Sequence, residues 1–400
     1  MKTWNRIVLE GRKLLPAAIA VAALLTSAGK TLADHGSDGG GDEQDGDRDR
    51  RPPAPLPIKL VRGYKQINLV SDLAGQAANT DTNLVNPWGL VIGPRGNLIV
   101  ADNHSGLATL YDGEGNSISM PAQVDENPTG AIMNRSPRDF MIVVGTNMYP
   151  SRLLFATESG QILAWNPMVD PSNAVVVVDN SASNAVYKGL TIGGTHESSL
   201  LYAADFHNGK VDMFDSTFHS IGSFTDTGVD PGFAPFNVRS IEGRLYVTFA
   251  KQLGPDNEDD EAGPGNGFVD VFDFGGHLVK RLAMGGTLNS PWGLAVAPGE
   301  FGRFSRALLV GNFGDGRINA FSPRTGIFLG QLQDTHGLAI QIDGLWSLEF
   351  GRGFDHNRDG DRDEGDEGDT VLYFTAGPGG ESHGLLGVIE PVRTLHHSRD

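Results

Sequence analysis

The sequence has no cysteine among its 400 residues, so no disulfide is available to hold an exported chain together and stability has to come from its core and from closure of its fold. Basic charge is scarce: 31 Lys and Arg stand against 49 Asp and Glu. No basic stripe exists to neutralise phosphates, which argues against nucleic acid as a partner. No periodic helical segment follows the N-terminus. The apolar run Leu14 to Leu25 is about twelve residues, short of the roughly 20 that a membrane-spanning helix needs. Also missing are a Ser-His-Asp order, a nucleophile elbow, a P-loop and a His-Glu-x-x-His pair, so nucleophilic catalysis has no support in the sequence.

What the chain does have is glycine, 54 residues, and a pattern that repeats six times between Trp88 and Pro391. Five segments open a repeat: Asn86-Pro87-Trp88-Gly89, Lys188-Gly189-Leu190, Pro235-Phe236-Asn237, Ser290-Pro291-Trp292-Gly293 and Leu345-Trp346-Ser347. A second strand recurs as 98–102, 153–158, 200–205, 245–249, 308–312 and 372–375, and a third, more aromatic strand follows each. Four-stranded units at a period of roughly 50 residues are the signature of a β-propeller. The fold class is therefore all-β, a six-bladed propeller.

Strand counting shows how the ring closes. Blades one to five each have a fourth strand candidate, at Ile118 to Val124, Val175 to Val178, Ser220 to Phe224, Leu278 to Leu282 and Phe328 to Leu332, but the sixth has none after Pro391. Residues 64–70 stand as an unpaired strand before blade one. They are expected to complete blade six and so hide an edge that would otherwise recruit other chains.

The domain boundaries follow from composition. Residues 1–33 carry Lys2, Arg6, Arg12 and Lys13, an apolar stretch and Thr31-Leu32-Ala33, the three parts of an export signal. Cleavage after Ala33 would leave no membrane span and a periplasmic or secreted protein. Residues 34–63 form a Gly-, Asp- and Pro-rich linker that cannot bury enough surface to order itself, and the propeller occupies 64–395. The net charge of −18 is local: twenty of the acids lie in 34–50, 254–261 and 355–369. This favours cations as ligands.

In an up-and-down blade, the loops entering the inner strand share one face with those joining the second and third strands. That face collects Asp102, Asn103, His104, Glu158, Asp205, His207, Asn312 and His383, with Asn86, Trp88, Lys188, Asn237, Asn289, Trp292 and Trp346 from the inner-strand entries. Oxygen and imidazole donors around an axial pocket suit a divalent metal, which could polarise a carbonyl or activate water. Asp and Asn beside Gly equally suit tight turns, and a Trp beside Pro or Gly equally suits packing between blades. The partner at this face is expected to be a small molecule, a glycan or a protein.

A second motif runs from Asp355 to Asp366. Asp355, Asn357, Asp359 and Asp361 alternate, with Gly360 at the sixth position and Asp366 at the twelfth, similar to a calcium loop of the EF-hand type. It joins the first and second strands of blade six, on the face opposite the histidines, where calcium would be structural.

At Asn68-Leu69-Val70-Ser71-Asp72, Asn86-Pro87-Trp88-Gly89, Ala101-Asp102-Asn103, the run Gly263 to Phe272 and the run Tyr373 to Pro378, the chain resembles a bacterial family of exported propellers, some of which carry a PEP-type sorting tail. More distantly it is similar to NHL-repeat and gluconolactonase-like propellers. The resemblance implies the fold and an exported protein but no reaction. The functional expectation is a ligand- or protein-binding propeller of the cell envelope or extracellular space. The alternative is a divalent-metal-dependent hydrolase or lyase on a small polar or sugar-derived substrate.

Overall fold

The computed structural model describes residues 60–125, 127–195, 198–352 and 370–394. Among these residues the strands form six antiparallel blades around a common axis, each four strands deep from the inner to the outer edge. Blade one runs Pro87–Ile92, Leu98–Asp102, Leu107–Tyr111 and Ala122–Gln123; blade two Pro128–Met133, Leu153–Thr157, Gln161–Trp165 and Val175–Asp179. Blade three runs Tyr187–Thr195, Ser198–Asp205, Lys210–Phe214 and Ser220–Phe224; blade four Phe233–Ile241, Arg244–Lys251, Phe268–Phe272 and Leu278–Met284. Blade five runs Pro291–Val296, Leu308–Asn312, Ile318–Phe321 and Phe328–Gln331.

Blade six contains Leu345–Arg352, Thr370–Ala376 and Leu385–Thr394, and its fourth strand is Leu60–Ser71 from the other end of the propeller, with the two-residue strand Asn79–Thr80 parallel outside it. The pairing is antiparallel, with Tyr64 opposite Pro391 and Ile67 opposite Val388. The expected clasp is present. Its hold reaches the neighbouring blade, because Tyr64 is buried, donates its hydroxyl to the carbonyl of Phe301 at 2.8 Å and packs its ring 4.9 Å from that of Phe301.

One inner strand has no counterpart among the five opening segments. Pro128–Met133 lines blade two, and it lacks the Trp or Phe that marks most of the others. A surface hairpin of Met141–Val144 and Asn147–Pro150 then separates it from its second strand, so the repeat spacing is stretched where its aromatic marker is missing.

The inner strands share a second feature. Each carries one extra residue opposite the end of its second strand, a β-bulge between Pro87 and Leu90, Pro128 and Ala131, Tyr187 and Gly189, Pro235 and Asn237, Pro291 and Gly293, and Leu345 and Leu348. A bulge bends the strand and re-aims one side chain. The re-aimed positions are Trp88, Thr129, Lys188, Phe236, Trp292 and Trp346, one per blade. The residue after each is small in most blades because the next blade lies against it. A Cβ on Gly89 would meet the Ala131 nitrogen at 2.6 Å, and one on Gly130 the Leu190 nitrogen at 2.6 Å.

Between the blades, the apolar faces of second and third strands interlock. Phe155, Leu163, Ile99 and Val91 fill the seam between blades one and two, and Leu309, Ile318, Leu348 and Phe374 that between five and six. Each such side chain, fully buried, contributes about 1.5–3 kcal/mol.

Candidate functional site

The bulges build the site. Trp88 stacks on Trp346 with ring centroids 3.5 Å apart, Trp292 stands edge-on to both at 6.2 and 5.9 Å, and Phe313 stacks on the other side of Trp346 at 4.0 Å. Phe206 and Phe236 join them to complete an aromatic plug on the axis. The tryptophans therefore do more than pack neighbouring blades: Trp88 and Trp292 belong to blades one and five and meet with blade six between them.

Above the bulge residues lies a second ring. In five blades the residue just past the second strand donates its backbone N–H to the residue just ahead of the inner strand: Asn103 to Asn86, Glu158 to Asn127, Phe206 to Val186, Phe313 to Ser290 and Gly377 to Gly344. In blade four Ala250 pairs with Ala234 at the same level. The two rings are aromatic or small in blades four, five and six, and their larger polar members, Asn86, Asn103, Thr129, Glu158 and Lys188, lie in blades one, two and three beside Trp88 and Phe206. The polar sector is the candidate site.

Its centre is Lys188, 1% exposed, whose ammonium pairs with Glu158 Oε1 and lies 5.0 Å above the Trp88 ring. Glu158 Oε2 accepts from the Asn103 amide at 3.1 Å. Asn103 Oδ1 in turn lies 3.2 Å from Asn86 Nδ2, which also donates to Glu381 Oε2 at 2.7 Å and stands 3.5 Å from His104 Nε2. Asn86 is fixed by accepting the Trp346 indole N–H on its Oδ1 at 3.0 Å. Its positive φ of 47° is one that asparagine tolerates better than most residues. The long loop after Arg244–Lys251 folds back so that Asp259 Oδ1 comes within 3.6 Å of the Lys188 ammonium, with Asp260 beside it.

The electrostatics follow from burial against pairing. Burial pushes the Glu158 carboxyl up, but Lys188 and the Asn103 amide outweigh it and hold the group below its usual range. Burial pushes Lys188 down, and Glu158 with Asp259 and Asp260 more than reverse this, so it stays an ammonium. For Glu381 and Asp260 burial wins: both are raised, Glu381 against the opposing Asn86 bond and Asp260 against Ser290 and Lys188.

The expected residues separate into groups. Asn103, His104 and Glu158 come together at the axis. Asp102, Asp205 and Asn312 are fully buried one position earlier and bond to neighbouring strands and loops, with Asp102 Oδ1 and Asn312 Oδ1 left without a partner. Asp102 accepts from Thr109 at 2.8 Å, Asp205 from Asn208 at 2.8 Å, and Asn312 donates to Thr287 at 2.8 Å. His207 holds the Asp256 carbonyl, 2.9 Å from its Nδ1, and His383 pairs with Asp72 at 2.9 Å where the N-terminal strand leaves blade six. Among the described residues no three His, Asp or Glu side chains converge as metal donors. Asp355, Asn357, Asp359, Asp361 and Asp366 lie outside the described residues, between strands that pair as far as Arg352 opposite Thr370.

Sequence reasoning placed Lys188 and Asn86 on this face without seeing their role, and it missed Glu381, Asp260 and Ser290. The available signal was register: aligned on the end of the second strand, the next residue reads Asn, Glu, Phe, Ala, Phe, Gly around the ring.

No family model matches the chain. An uncharacterized protein of Acanthamoeba polyphaga mimivirus is 34% identical over 307 residues, which cover 73% of this chain and 75% of that protein. A second uncharacterized protein of the same virus is 33% identical over 306 residues, covering 73% and 80%. Among solved structures, virginiamycin B lyase from Staphylococcus aureus aligns over 82% of this chain and 99% of its own with 10% identity and a TM-score of 0.44. A luciferin-regenerating enzyme aligns over 77% and 91% with 13% identity and a TM-score of 0.44. The sequence relatives are viral, where the repeat motifs alone resembled a bacterial family.

Proposed function

The chain belongs to the family of these two mimivirus proteins, and from that premise we propose that it is a binding propeller whose ligand, a small polar molecule or the end of a glycan, enters the axial mouth. The observation that carries this reading is the Lys188–Glu158 pair. An ion pair taken out of water is a weak stability device, since well-packed apolar residues in its place are often neutral or stabilising. Here the other side of the same shaft is closed by Trp292, Trp346, Phe206 and Phe313, so an apolar solution was structurally available. The polar sector also forms a connected set of donors and acceptors, from Glu381 through Asn86 and Asn103 to Lys188, that is open at His104, which is exposed.

The test is a thermal-shift screen of small polar compounds and sugars on the intact chain and on a Lys188→Met, Glu158→Leu double variant. The variant should fold with unchanged or higher Tm and lose the ligand-induced shift. A ligand that still shifts the variant as much as the parent would remove the axial mouth from consideration. The metal-dependent alternative rests on Asp102, His104, Glu158, Asp205 and His207, and a divalent ion lost in a His104→Ala, His207→Ala variant would favour it over the binding reading.

We also propose export of the chain, on the strength of residues 1–33, and a structural calcium ion at Asp355, Asn357, Asp359, Asp361 and Asp366, on the strength of their spacing. N-terminal sequencing of the mature protein tests the first. Calcium titration of the parent against Asp359→Ala tests the second, and equal uptake by both would dismiss it.

A further inference from the structure

Taking the axial mouth as the binding site, we propose that its ligand is a protonated amine that also carries hydroxyl or carbonyl oxygens, with amino sugars the simplest class. The charge at the mouth is the first reason. Lys188 is matched by Glu158, which leaves Glu381, Asp259 and Asp260 around one opening with no second lysine or arginine paired to them among the described residues. A carboxylate or phosphate ligand would meet three carboxyl groups there.

The second reason is independent of charge. The indole nitrogens of Trp88 and Trp292 are buried with no hydrogen-bond partner, and Asp260 Oδ2 and Ser290 Oγ have no partner beyond each other. Ser290 is 0% exposed, Trp88 2% and Trp292 4%, and Ser290 is the residue whose hydroxyl bears on Asp260. Leaving such a group unpaired costs about 1–3 kcal/mol. The carboxylate asks for a donor and the indoles ask for acceptors. A bare metal ion could meet the first need and not the second, and a simple alkylamine likewise. An ammonium group on an oxygen-rich ring meets both.

Next to the aromatic plug, Phe313, Asp315 and Asp343 help to line a cleft of about 370 Å³, which adds two carboxyl groups on this face. Burial raises Glu381 and Asp260, and an arriving ammonium would oppose that shift.

The experiment is titration calorimetry of the full chain at pH 7 with glucosamine, N-acetylglucosamine and glucuronate. Glucosamine should bind at least tenfold more tightly than its neutral N-acetyl counterpart, with glucuronate weakest. Glu381→Gln and Asp260→Asn should each weaken glucosamine about tenfold and leave N-acetylglucosamine nearly unchanged. On the parent protein, repeating the titration at rising ionic strength should weaken glucosamine and leave N-acetylglucosamine unchanged, a readout that does not depend on a variant folding. Equal affinity for glucosamine and N-acetylglucosamine, a preference for glucuronate, or no binding of glucosamine would overturn the amine class. The axial reading would survive if the bound compound is lost in the Lys188→Met, Glu158→Leu variant. Glucosamine binding that ignores both this variant and Glu381→Gln would overturn the two readings together.

Discussion

Arg239 on the inner strand of blade four pairs through Nη2 with Glu349 Oε2 on the inner strand of blade six, and the inner strand of blade five lies between them. Ala295 occupies the corresponding position of blade five, by its place after Gly293 and Leu294, so nothing large stands in the way. The pair ties alternate blades together on the side of the bulges away from the mouth, with each side chain about a quarter exposed.

Removing one partner leaves a partly buried charge, so Arg239→Met should cost about 1–2 kcal/mol, below the figure for a fully buried pair. Adding Glu349→Leu should recover most of it. Urea unfolding of the two single variants and the double variant gives the coupling directly; additive losses would show that the pair contributes nothing as a pair.

Gly189 is the tightest of the blade contacts near the axis. A Cβ there would meet Asn237 Oδ1 at 2.2 Å and its Cα at 2.6 Å, and Asn237 is held by its bond to the Trp292 carbonyl at 2.8 Å. Gly189→Ala should lose about 1–3 kcal/mol through overpacking, read as a lower Tm. An unchanged Tm would mean that blades three and four can part without cost.

Asp270 supplies a pH dependence. Its carboxyl is pushed up to about 7 from 3.8, first by burial and then by Asp226, against the pull of Arg281. Arg281 bonds Asp270 at 3.2 Å and Asp226 at 2.5 Å. The folded chain thus holds a proton that the unfolded chain releases near pH 4. Stability from this group is complete below that value and is lost as pH rises through 7. Unfolding by urea at pH 5 and pH 8 should show the parent losing more stability across the interval than Asp270→Asn, and parallel losses would contradict it.

Much of this architecture was legible in the chain. Four inner strands announced themselves through Trp or Phe and a fifth through Lys188-Gly189-Leu190, and the unpaired strand at 64–70 gave away the closure. Blade two hid its inner strand because Thr129 stands where an aromatic stands in most blades and a hairpin interrupts the spacing. The candidate residues fall on two levels: Asn103, His104 and Glu158 reach the axis, while Asp102, Asp205 and Asn312 lie one position earlier. Asp102 and Asp205 look functional in sequence because they are charged and sit in Gly-containing loops, yet they bond within their own blades, Asp102 to Thr109 and Asp205 to Asn208. The neighbours Asn103 and Glu158 face the axis. The approach of Asp259 to Lys188 depends on a loop folding back across a blade, which no periodicity encodes.

Deleting residues 60–71 should abolish cooperative unfolding and leave soluble aggregates, because the third strand of blade six, Leu385–Thr394, would present a free edge. Size-exclusion chromatography with denaturant melts checks this; a monomer with a sharp transition would show that the first three strands of blade six suffice.

That same clasp sets an order of events during folding. Blades one to five are each built from a continuous run of chain, so each can form once its own residues are available. Blade six needs Tyr64 beside Pro391, a separation of more than three hundred residues, and long-range pairing of this kind is slow because loop-closure entropy is lost before contacts compensate it. The first strand made must wait, unpaired, for the last, and the lifetime of that waiting strand is where handling by a chaperone would matter most.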